Sequence, residues 1–205
     1  MTNLVLVRHG ETIWSGDNRY AGASDIALTP LGVQQAERLA RWARWAKLSA
    51  LWCSPLTRAR DTAAAVEKHT GLKRRIDPRL RELDFGRGEG KTNDEMKQQL
   101  GNAYEKWKAD PYGSPLPGGE EPRESVDRII ACFNEIEMKH RDQRVIVVGH
   151  ATVFRLALCR LMGIPEKRYR DVFPMMLNAA VTEITYEPDS VGLLQYNVTV
   201  QKTDE

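Results

Sequence analysis

The chain has 205 residues, a length that suits one domain with a full hydrophobic core. Hydrophobic residues make up 41% of it and charged residues 28%, which is typical of a globular protein. The 30 basic and 28 acidic residues leave a formal net charge of only +2, a balance that argues against a dedicated nucleic-acid binder but allows a local anion pocket. We therefore predict a single domain over residues 1–205 with no nucleic-acid partner.

The start of the chain and its cysteines carry no pattern typical of exported or membrane proteins. The N-terminus lacks a basic segment followed by an apolar one, and the longest apolar runs are too short to span a bilayer. The three cysteines are far apart and have no CxxC spacing, which indicates buried free thiols rather than a zinc site or a disulfide framework. We predict a cytoplasmic protein with no membrane partner.

The chain begins with a strand, a long loop and a helix. Residues 4–7 form a β-branched and aliphatic run that predicts a buried strand. Residues 13–28 are rich in Gly, Asp, Asn and Ser, and a loop of this length inside a domain is usually functional. Thr29 and Pro30 are typical of the N-cap and first position of a helix, whose apolar spacing continues to Ala46.

The middle of the chain repeats the alternation of strands and helices. A second short strand is predicted at 50–53, followed by a helix to about residue 69 and a third strand at 74–76. Residues 77–91 are charged and glycine-containing, as in a loop, and weaker helical segments cover 92–108.

The last part of the chain contains the clearest helix. Residues 110–119 are a loop with prolines and glycines, and residues 121–139 show a continuous apolar stripe at helical spacing. A very apolar strand at 145–148 leads to a helix over 152–162. Two late strands are predicted at 181–186 and 193–200, and 202–205 are predicted to be a frayed tail.

Strands that alternate with helices in this way indicate an α/β fold, a three-layer αβα sandwich with a mostly parallel central sheet. The two late strands would offer a free edge at which two copies could pair, so a homodimer is one expected assembly.

Two of the predicted strands end directly in a histidine, His9 and His150. A third strand end leads to Ser54 and then to Arg58, and Arg8 precedes the first histidine. In open α/β sheets, ligands bind beyond the carboxyl ends of the strands. We therefore expect two histidines and two arginines to meet in one site.

This combination of side chains suits phosphoryl transfer. A neutral imidazole is a competent nucleophile, and fixed guanidinium groups can bind and stabilise the oxygens of the transferred group. The reaction also needs an acid that protonates the leaving alkoxide, and it must be protonated when substrate is bound. Glu82 lies in a loop that could reach the site, and Asp84 and Glu89 share that loop, so the residues alone leave three candidates.

The ordered set of motifs resembles the histidine phosphatase superfamily, also called the phosphoglycerate-mutase-like family. The pentapeptide RHGET at residues 8–12 is similar to the family's signature. Further similar segments follow in the same order along nearly the whole chain: LTPLG at 28–32, SPLTRA at 54–59, RE at 81–82 with Gly86, PGGE at 117–120, GH at 149–150, Arg155 and Asn178.

The resemblance implies roles for the matching positions. His9 would be the phosphorylated nucleophile, and Glu82 would be the proton donor and then the base that activates water. His150 would donate to the phosphate, so we expect it to be charged or to present an N–H. The phosphate pocket would be formed by Arg8, Arg58, His150 and the backbone N–H of Ala151. No metal or other cofactor is implied, because the arginines supply the positive charge.

The chain departs from the family pattern near the phosphate. Ser15 stands where relatives often have Asn, and we predict that it still binds the phosphate, because its hydroxyl can donate one hydrogen bond. Ala21, which cannot donate from its side chain, stands where relatives often have Gln, and Asn18 is a candidate to compensate. Gly88 replaces a frequent Trp and Ala151 a frequent Gly, which together suggest a wider mouth. We assign Asn18, Ala21 and Gly22 to a substrate rim, and Glu120 would either reach the same rim or cap the following helix.

Three functions are compatible with these residues. The first is hydrolysis of a small phosphorylated metabolite, and the second is cofactor-dependent phosphoglycerate mutase activity on the same fold. Mutases of the family are usually longer, whereas this chain is short between Gly90 and Pro117, which favours the phosphatase branch. A non-catalytic phosphate-ligand binding protein is the third, although such proteins usually lose the nucleophile or an arginine. The expected activity is therefore a metal-independent phosphomonoesterase.

Overall fold

The computed structural model describes residues 1–200, which contain a six-stranded sheet with helices on both faces. The strand order is β3-β2-β4-β1-β5-β6. Strands β3, β2, β4 and β1 run parallel to one another, while β5 runs antiparallel to β1 and β6 antiparallel to β5. The strands are β1 (Thr2–Arg8), β2 (Ala50–Cys53), β3 (Arg74–Ile76), β4 (Arg144–Gly149), β5 (Val181–Glu187) and β6 (Ser190–Val198).

Capping residues mark the start of the first helix and the end of the second. The Thr29 hydroxyl accepts the Gly32 N–H at 3.0 Å at the start of the first helix, and Gly71 closes the second in a left-handed conformation with φ +76°. The helices are α1 (Pro30–Ala43), α2 (Thr57–Thr70), α3 (Asn93–Leu100), α4 (Asn102–Ala109), α5 (Pro122–Lys139), α6 (Ala151–Leu161) and α7 (Tyr169–Val172).

Alternate residues of the buried strands face opposite layers of helices. Leu4 and Leu6 of β1 pack with α5 and α6, while Val5 and Val7 pack with α1 and α2. Because successive side chains of a strand point to opposite faces, one continuous apolar run can build two cores. The predicted αβα sandwich with its mostly parallel sheet is confirmed.

A third apolar cluster lies away from the sheet and holds α3 and α4. It consists of Leu83, Phe85, Met96, Tyr104, Trp107 and Leu116. Two of its members, Leu83 and Phe85, follow Glu82 in the chain, so the cluster fixes the loop that contains Glu82.

The boundaries of several elements differ from those predicted. Helix α1 ends at Ala43 rather than Ala46, because Trp45 and Ala46 already make tighter hydrogen bonds three residues back. The helical region over 92–108 is two helices, divided at Gly101, whose φ is +50°. Strand β6 begins at Ser190 rather than 193, because hairpin pairing with β5 extends past the apolar residues.

The remaining short elements were not predicted, since three or four residues are too few to show a period. They are three 3₁₀ helices, Pro78–Leu80, Gly86–Gly88 and Glu166–Arg168, and the single turn α7. The predicted tail at 202–205 lies outside the described residues.

The cysteines agree with the prediction of free thiols. All three are buried and unbridged, and burial raises the pKa of Cys132 to about 12 and that of Cys53 to about 11. No helix within residues 1–200 is both long enough and apolar enough to cross a membrane.

Candidate active site

Sheet topology places the two histidines side by side. Strands β1 and β4 are parallel neighbours in which Arg8 is paired with Gly149, and the His9 N–H donates to the Gly149 carbonyl at 3.0 Å. The rings of His9 and His150 have centroids 5.1 Å apart. Strand β2 lies on the other side of β4, so its end delivers Ser54 to the same rim. Three strand ends therefore converge.

The His9 ring is held so that one nitrogen is free to react. Its Nδ1 donates to the Gly10 carbonyl at 2.6 Å, and its Nε2 accepts from the Arg58 Nε at 3.2 Å. Burial, reinforced by Arg58 and Arg8, lowers the pKa of His9 well below 6.5. His9 is therefore neutral, with its lone pair on Nε2. The turn after it requires glycine, because a Cβ on Gly10 would lie 2.4 Å from the Gly32 carbonyl oxygen.

Arg58 is fully buried and has no carboxylate partner within residues 1–200. Its guanidinium donates at 2.7 Å to the carbonyls of Ser24 and Gly22, and at 3.3 Å to that of Ala21. Burial lowers its pKa, as expected of a cation surrounded by neutral acceptors. Arg58 therefore joins the His9 ring to the loop over 21–24.

Glu89 holds the other side of that loop. Its carboxylate accepts the N–H groups of Gly22, Ala23 and Ser24 at 3.0 to 3.2 Å, and the Phe85 N–H at 2.9 Å. The loop is thus fixed through its carbonyls by an arginine and through its amides by a carboxylate, which satisfies its buried backbone groups.

His150 is fully buried and carries an unpartnered nitrogen. Its Nε2 lies 2.7 Å from the Ser54 hydroxyl, while Nδ1 has no hydrogen-bond partner among residues 1–200. Burial, followed by the charge of Arg58, lowers the pKa of His150 well below 6.5. A hydroxyl that donates to Nε2 leaves Nδ1 protonated, so the neutral ring presents an N–H.

Arg8 is the second arginine of the site. Its Nη1 donates to the Met176 carbonyl at 2.7 Å, and its buried Nε has no partner in the described chain. Burial lowers the pKa of Arg8 to about 10, with Arg155 and Arg58 contributing and Glu82 opposing. It remains a cation at neutral pH. Unsatisfied buried donors are rare, and two of them near the His9 ring indicate an anion site.

Glu82 is distinguished from the other candidate acids by position. It lines the cavity, and its carboxylate accepts the N–H groups of Leu83, Thr152 and Val153, each at 2.9 Å. Asp84 instead accepts the Gly86 N–H, and Glu89 holds the loop over 21–24; neither lines the cavity. The first turn of α6 therefore positions Glu82 at the site.

The cavity above these groups has a volume of about 550 Å³. Arg58 and His150 lie beneath its surface, whereas Ala151 is exposed to it at the first position of α6, where its N–H has no acceptor within the helix. Of the predicted residues, those that line the cavity are Arg8, His9, Ser15, Asn18, Ala21, Glu82 and Ala151.

Gly22 and Glu120 do not line this cavity. The Gly22 N–H is bound by Glu89, and a Cβ at this position would lie 2.1 Å from the Leu83 carbonyl oxygen. Glu120 forms ion pairs at 2.8 Å with Arg81 and Arg128. It does not cap α5 either, since its partners are arginines and the N-cap is Glu121. Both residues support the loops behind the cavity wall.

Two of the departures from the family pattern act differently from expectation. The Ser15 hydroxyl lines the cavity but already accepts the Thr12 N–H at 3.2 Å and lies 3.0 Å from its hydroxyl. The expectation that Gly88 widens the mouth is wrong, because it is buried and a Cβ there would lie 2.5 Å from Leu116. Asn18 is exposed at the mouth with φ +53°.

One wall of the cavity, formed by residues 174–178, was not predicted from sequence. Its backbone is held from outside: Met175 O accepts from Tyr196 at 2.6 Å, and Leu177 N donates to Asn197 at 2.6 Å. The Asn178 side chain donates to the His9 carbonyl at 2.9 Å. This segment has no periodic pattern, and only Asn178 belonged to the similar motifs, so the sequence carried little signal for it.

Positive charge in the cavity comes from arginine side chains. Within residues 1–200 no group of three or more His, Cys, Asp or Glu side chains is placed to hold a metal ion. Arg8, Arg155 and Arg19, which is paired with Glu95, line the cavity, and the charges of Arg58 and Arg128 also act on His150.

These features agree with the comparisons with known proteins. The family model described as "Histidine phosphatase superfamily (branch 1)" matches residues 4–199, and the chain belongs to this superfamily. The "Putative phosphoserine phosphatase 2" of Hydrogenobacter thermophilus is 32% identical over 197 residues, covering 96% of each chain. The predicted family is confirmed, and the chain is a phosphatase of the hydrolase class.

Other similar proteins carry different names. A "Probable phosphoglycerate mutase GpmB" of Salmonella choleraesuis is 30% identical over 190 residues, covering 91% of this chain and 86% of that protein. The solved structure of "Bacillus stearothermophilus YhfR" matches with a TM-score of 0.89 at 29% identity, covering 97% of this chain and 98% of that one. The superfamily therefore does not fix the substrate.

Proposed function

We propose that this protein is a metal-independent phosphomonoesterase that hydrolyses a small phosphorylated metabolite through a phosphohistidine on His9. The observation that carries the proposal is the state of that ring: Nδ1 donates to a carbonyl, and the Nε2 lone pair is held by an arginine. A neutral, oriented imidazole beside cations with unpaired donors suits attack on a phosphate ester.

In the first step, the phosphate takes the place of His9 Nε2 as the acceptor for Arg58. Nε2 attacks phosphorus, the N–P bond forms, and the P–O bond to the alcohol breaks as Glu82 gives its proton to the leaving oxygen. Arg8, Arg58 and the Nδ1–H of His150 bind the equatorial oxygens, where the negative charge is spread. The Ala151 N–H adds a donor at a helix N-terminus.

In the second step, Glu82 is a carboxylate and takes a proton from water. The water oxygen attacks phosphorus, the N–P bond breaks, and inorganic phosphate leaves a neutral His9 and a protonated Glu82. The hydrogen bond from His9 Nδ1 to the Gly10 carbonyl keeps the ring oriented in both steps.

Glu82 has to exchange its proton within each cycle. Three backbone N–H groups donate to its carboxylate and hold it at the edge of the cavity. One fixed carboxyl group can therefore give a proton to the leaving oxygen in the first step and take one from water in the second.

The experiment is a phosphatase assay on an aryl phosphate and a panel of phosphorylated metabolites, with EDTA present throughout. We expect turnover in EDTA and a phosphoenzyme after acid-free quenching that is labile to acid, as an N–P bond is. His9→Ala should lose at least about 10³-fold in kcat, the scale seen when a nucleophile is removed. Retained turnover in His9→Ala would exclude the mechanism, and turnover only after added metal would exclude metal independence.

Phosphoglycerate mutase activity is the second candidate, because a relative carries that name. The cavity wall favours hydrolysis, since the Met175 side chain at the mouth is 56% exposed and Asn18 is exposed as well, so water can reach the phosphoenzyme. We expect the phosphoenzyme to decay without an acceptor. A phosphohistidine that persists in buffer and turns over only with a phosphoglycerate would favour the mutase.

A non-catalytic phosphate-binding protein is the third candidate. Every side chain that the two proposed steps use is in place at the cavity or directly beneath it, which argues against this function. Phosphate binding without hydrolysis of any ester in the panel would favour it.

A further inference from the structure

The cavity contains an arginine that the two proposed steps do not use. Arg155 lies one turn into α6 and lines the same cavity as His9, Arg8 and Glu82. The phosphoryl group is already served by the two other arginines, by His150 and by a helix N-terminus. Arg155 is therefore free to act on another part of the substrate.

The charge of Arg155 has no partner within residues 1–200. Other half-buried arginines of this chain pair with carboxylates, as Arg128 does with Glu120 at 2.8 Å and Arg144 with Glu183 at 2.7 Å. Arg155 meets no carboxylate within 4 Å in this part of the chain, and its charge contributes to lowering the pKa of Arg8. Two cations that line one cavity favour a ligand with more than one anionic group.

The orientation of Arg155 is fixed. Its Nε donates to the Ala151 carbonyl at 3.2 Å, and its Nη1 donates to the carbonyls of Phe173 and Pro174 at 3.1 and 3.3 Å. Its guanidinium carbon lies 4.9 Å from the centre of the Tyr169 ring, which adds a cation–π contact. Nη2 is the nitrogen that has no acceptor among the described residues.

We propose that Arg155 binds a carboxylate on the alcohol part of the substrate, so that the substrate class is the phosphate monoesters of small hydroxy acids. The Nη2 of Arg155, with its two N–H groups, can donate hydrogen bonds to a planar monoanion such as a carboxylate. A second phosphate dianion would need more donors, as the phosphoryl site itself has. This inference rests on the proposed phosphatase activity.

The test compares substrates that differ in the carboxylate alone. O-phosphoserine is paired with phosphoethanolamine, and 3-phosphoglycerate with glycerol 3-phosphate, each assayed with the wild type and Arg155→Met. We expect the wild type to prefer the carboxylated member of a pair. Arg155→Met should lose about 10-fold or more in kcat/KM for it, mainly through KM, and less than about 3-fold for its partner.

Arg170→Met is the matched control. Arg170 also flanks Tyr169, at 5.5 Å, and donates to its hydroxyl at 3.0 Å, but it does not line the cavity. It should leave the ratio between paired substrates unchanged. Arg155→Lys, which keeps the charge but not the planar group, should retain part of the preference and guards against a Met variant that fails to fold.

The outcomes separate this inference from the activity on which it rests. An aryl phosphate without a carboxylate should be hydrolysed in EDTA by the wild type and by the Arg170→Met control at similar rates. If no variant hydrolyses it, the proposed phosphatase activity fails. If it is hydrolysed but the wild type has no preference, or Arg155→Met weakens both members of each pair equally, the carboxylate assignment is overturned.

Discussion

The floor and the wall of the cavity are built by opposite means. The floor consists of the buried side chains of His9, Arg58 and His150, set by two strand ends and a helix and hydrogen-bonded to one another or to Ser54. The wall at 174–178 is fixed through its backbone, with side chains of distant residues holding its carbonyls and amides. Its own side chains at Met175 and Leu177 are exposed.

This difference indicates which side chains of the cavity can vary among relatives and which cannot. In the proposed mechanism each floor residue contributes an atom that the chemistry needs, so we expect a substitution there to remove a function. Met175 and Leu177 of the wall are held through backbone atoms that any residue possesses, so their exposed side chains are free to change with the substrate, unlike those of the buried Met176 and of Asn178, which donates to the His9 carbonyl. A single scaffold can therefore keep one reaction and serve different alcohols, in line with the varied names of the relatives.

The largest effect is expected at the boundary between floor and wall, at Glu82. Glu82→Gln should lower kcat by about 10² to 10⁴-fold, because the leaving oxygen loses its proton donor. The loss should be larger for alkyl phosphates than for aryl phosphates, since a phenolate leaves without full protonation. Steady-state kinetics on both ester types measure this, with Asp84→Asn as a control in the same loop. Equal losses on both types would mean that Glu82 is not the acid.

The burial of the floor should also be visible as a pH dependence of stability. Because the folded pKa of His9 and His150 lies well below 6.5, the unfolded chain binds protons that the folded chain refuses as pH falls below 6.5. The free energy of unfolding should be fully present above pH 6.5 and fall below it, by about 1.4 kcal/mol per pH unit for each proton. Urea denaturation at a series of pH values between about 5 and 7.5, a window around the ordinary histidine pKa, measures this free energy of unfolding. His150→Asn should have a shallower slope, and an unchanged slope would contradict the assignment.

A support of the floor should have an intermediate effect. Glu89→Ala leaves the amides of Gly22, Ala23 and Ser24 without their acceptor, at a cost of about 1–3 kcal/mol in the free energy of unfolding. It should also lower kcat, because Arg58 is bound to the same loop. Glu89→Gln, which keeps one acceptor oxygen, should recover part of both. Unaltered stability in Glu89→Ala would show that the loop does not depend on this carboxylate.

The smallest effect is expected in the wall. Tyr196→Phe removes the hydrogen bond to the Met175 carbonyl and should cost about 0.5–1.5 kcal/mol of stability. If the wall binds the alcohol part of the substrate, as we propose, the kinetic signature of this variant is a raised KM with little change in kcat. Tyr186→Phe, which loses a hydrogen bond to Asn134 away from the cavity, is the control and should leave KM unchanged. A fall in kcat with constant KM would place the wall in the chemistry.

Most of the strands and helices, and most of the residues of the cavity floor, could be predicted from the sequence. Apolar runs and capping residues predicted the principal strands and helices, and the histidines and arginines stood in motifs at strand ends. It did not predict the strand order, which is decided by how whole elements pack. The residue types alone did not separate the three acids of one loop, although the family resemblance assigned Glu82, because which carboxylate lines the cavity depends on contacts with α6 and with the loop over 21–24.

The sequence by itself determined the superfamily, the alternation of strands and helices, and the identity of the groups beside the nucleophile, because these depend on local pattern and on residue type. Only the tertiary structure decided that Glu120 and Gly22 support the loops, that Gly88 is packed against Leu116, and that residues 174–178 form a wall. Those assignments rest on contacts between residues far apart in the chain, and no local periodicity records which distant side chain will satisfy a given backbone group.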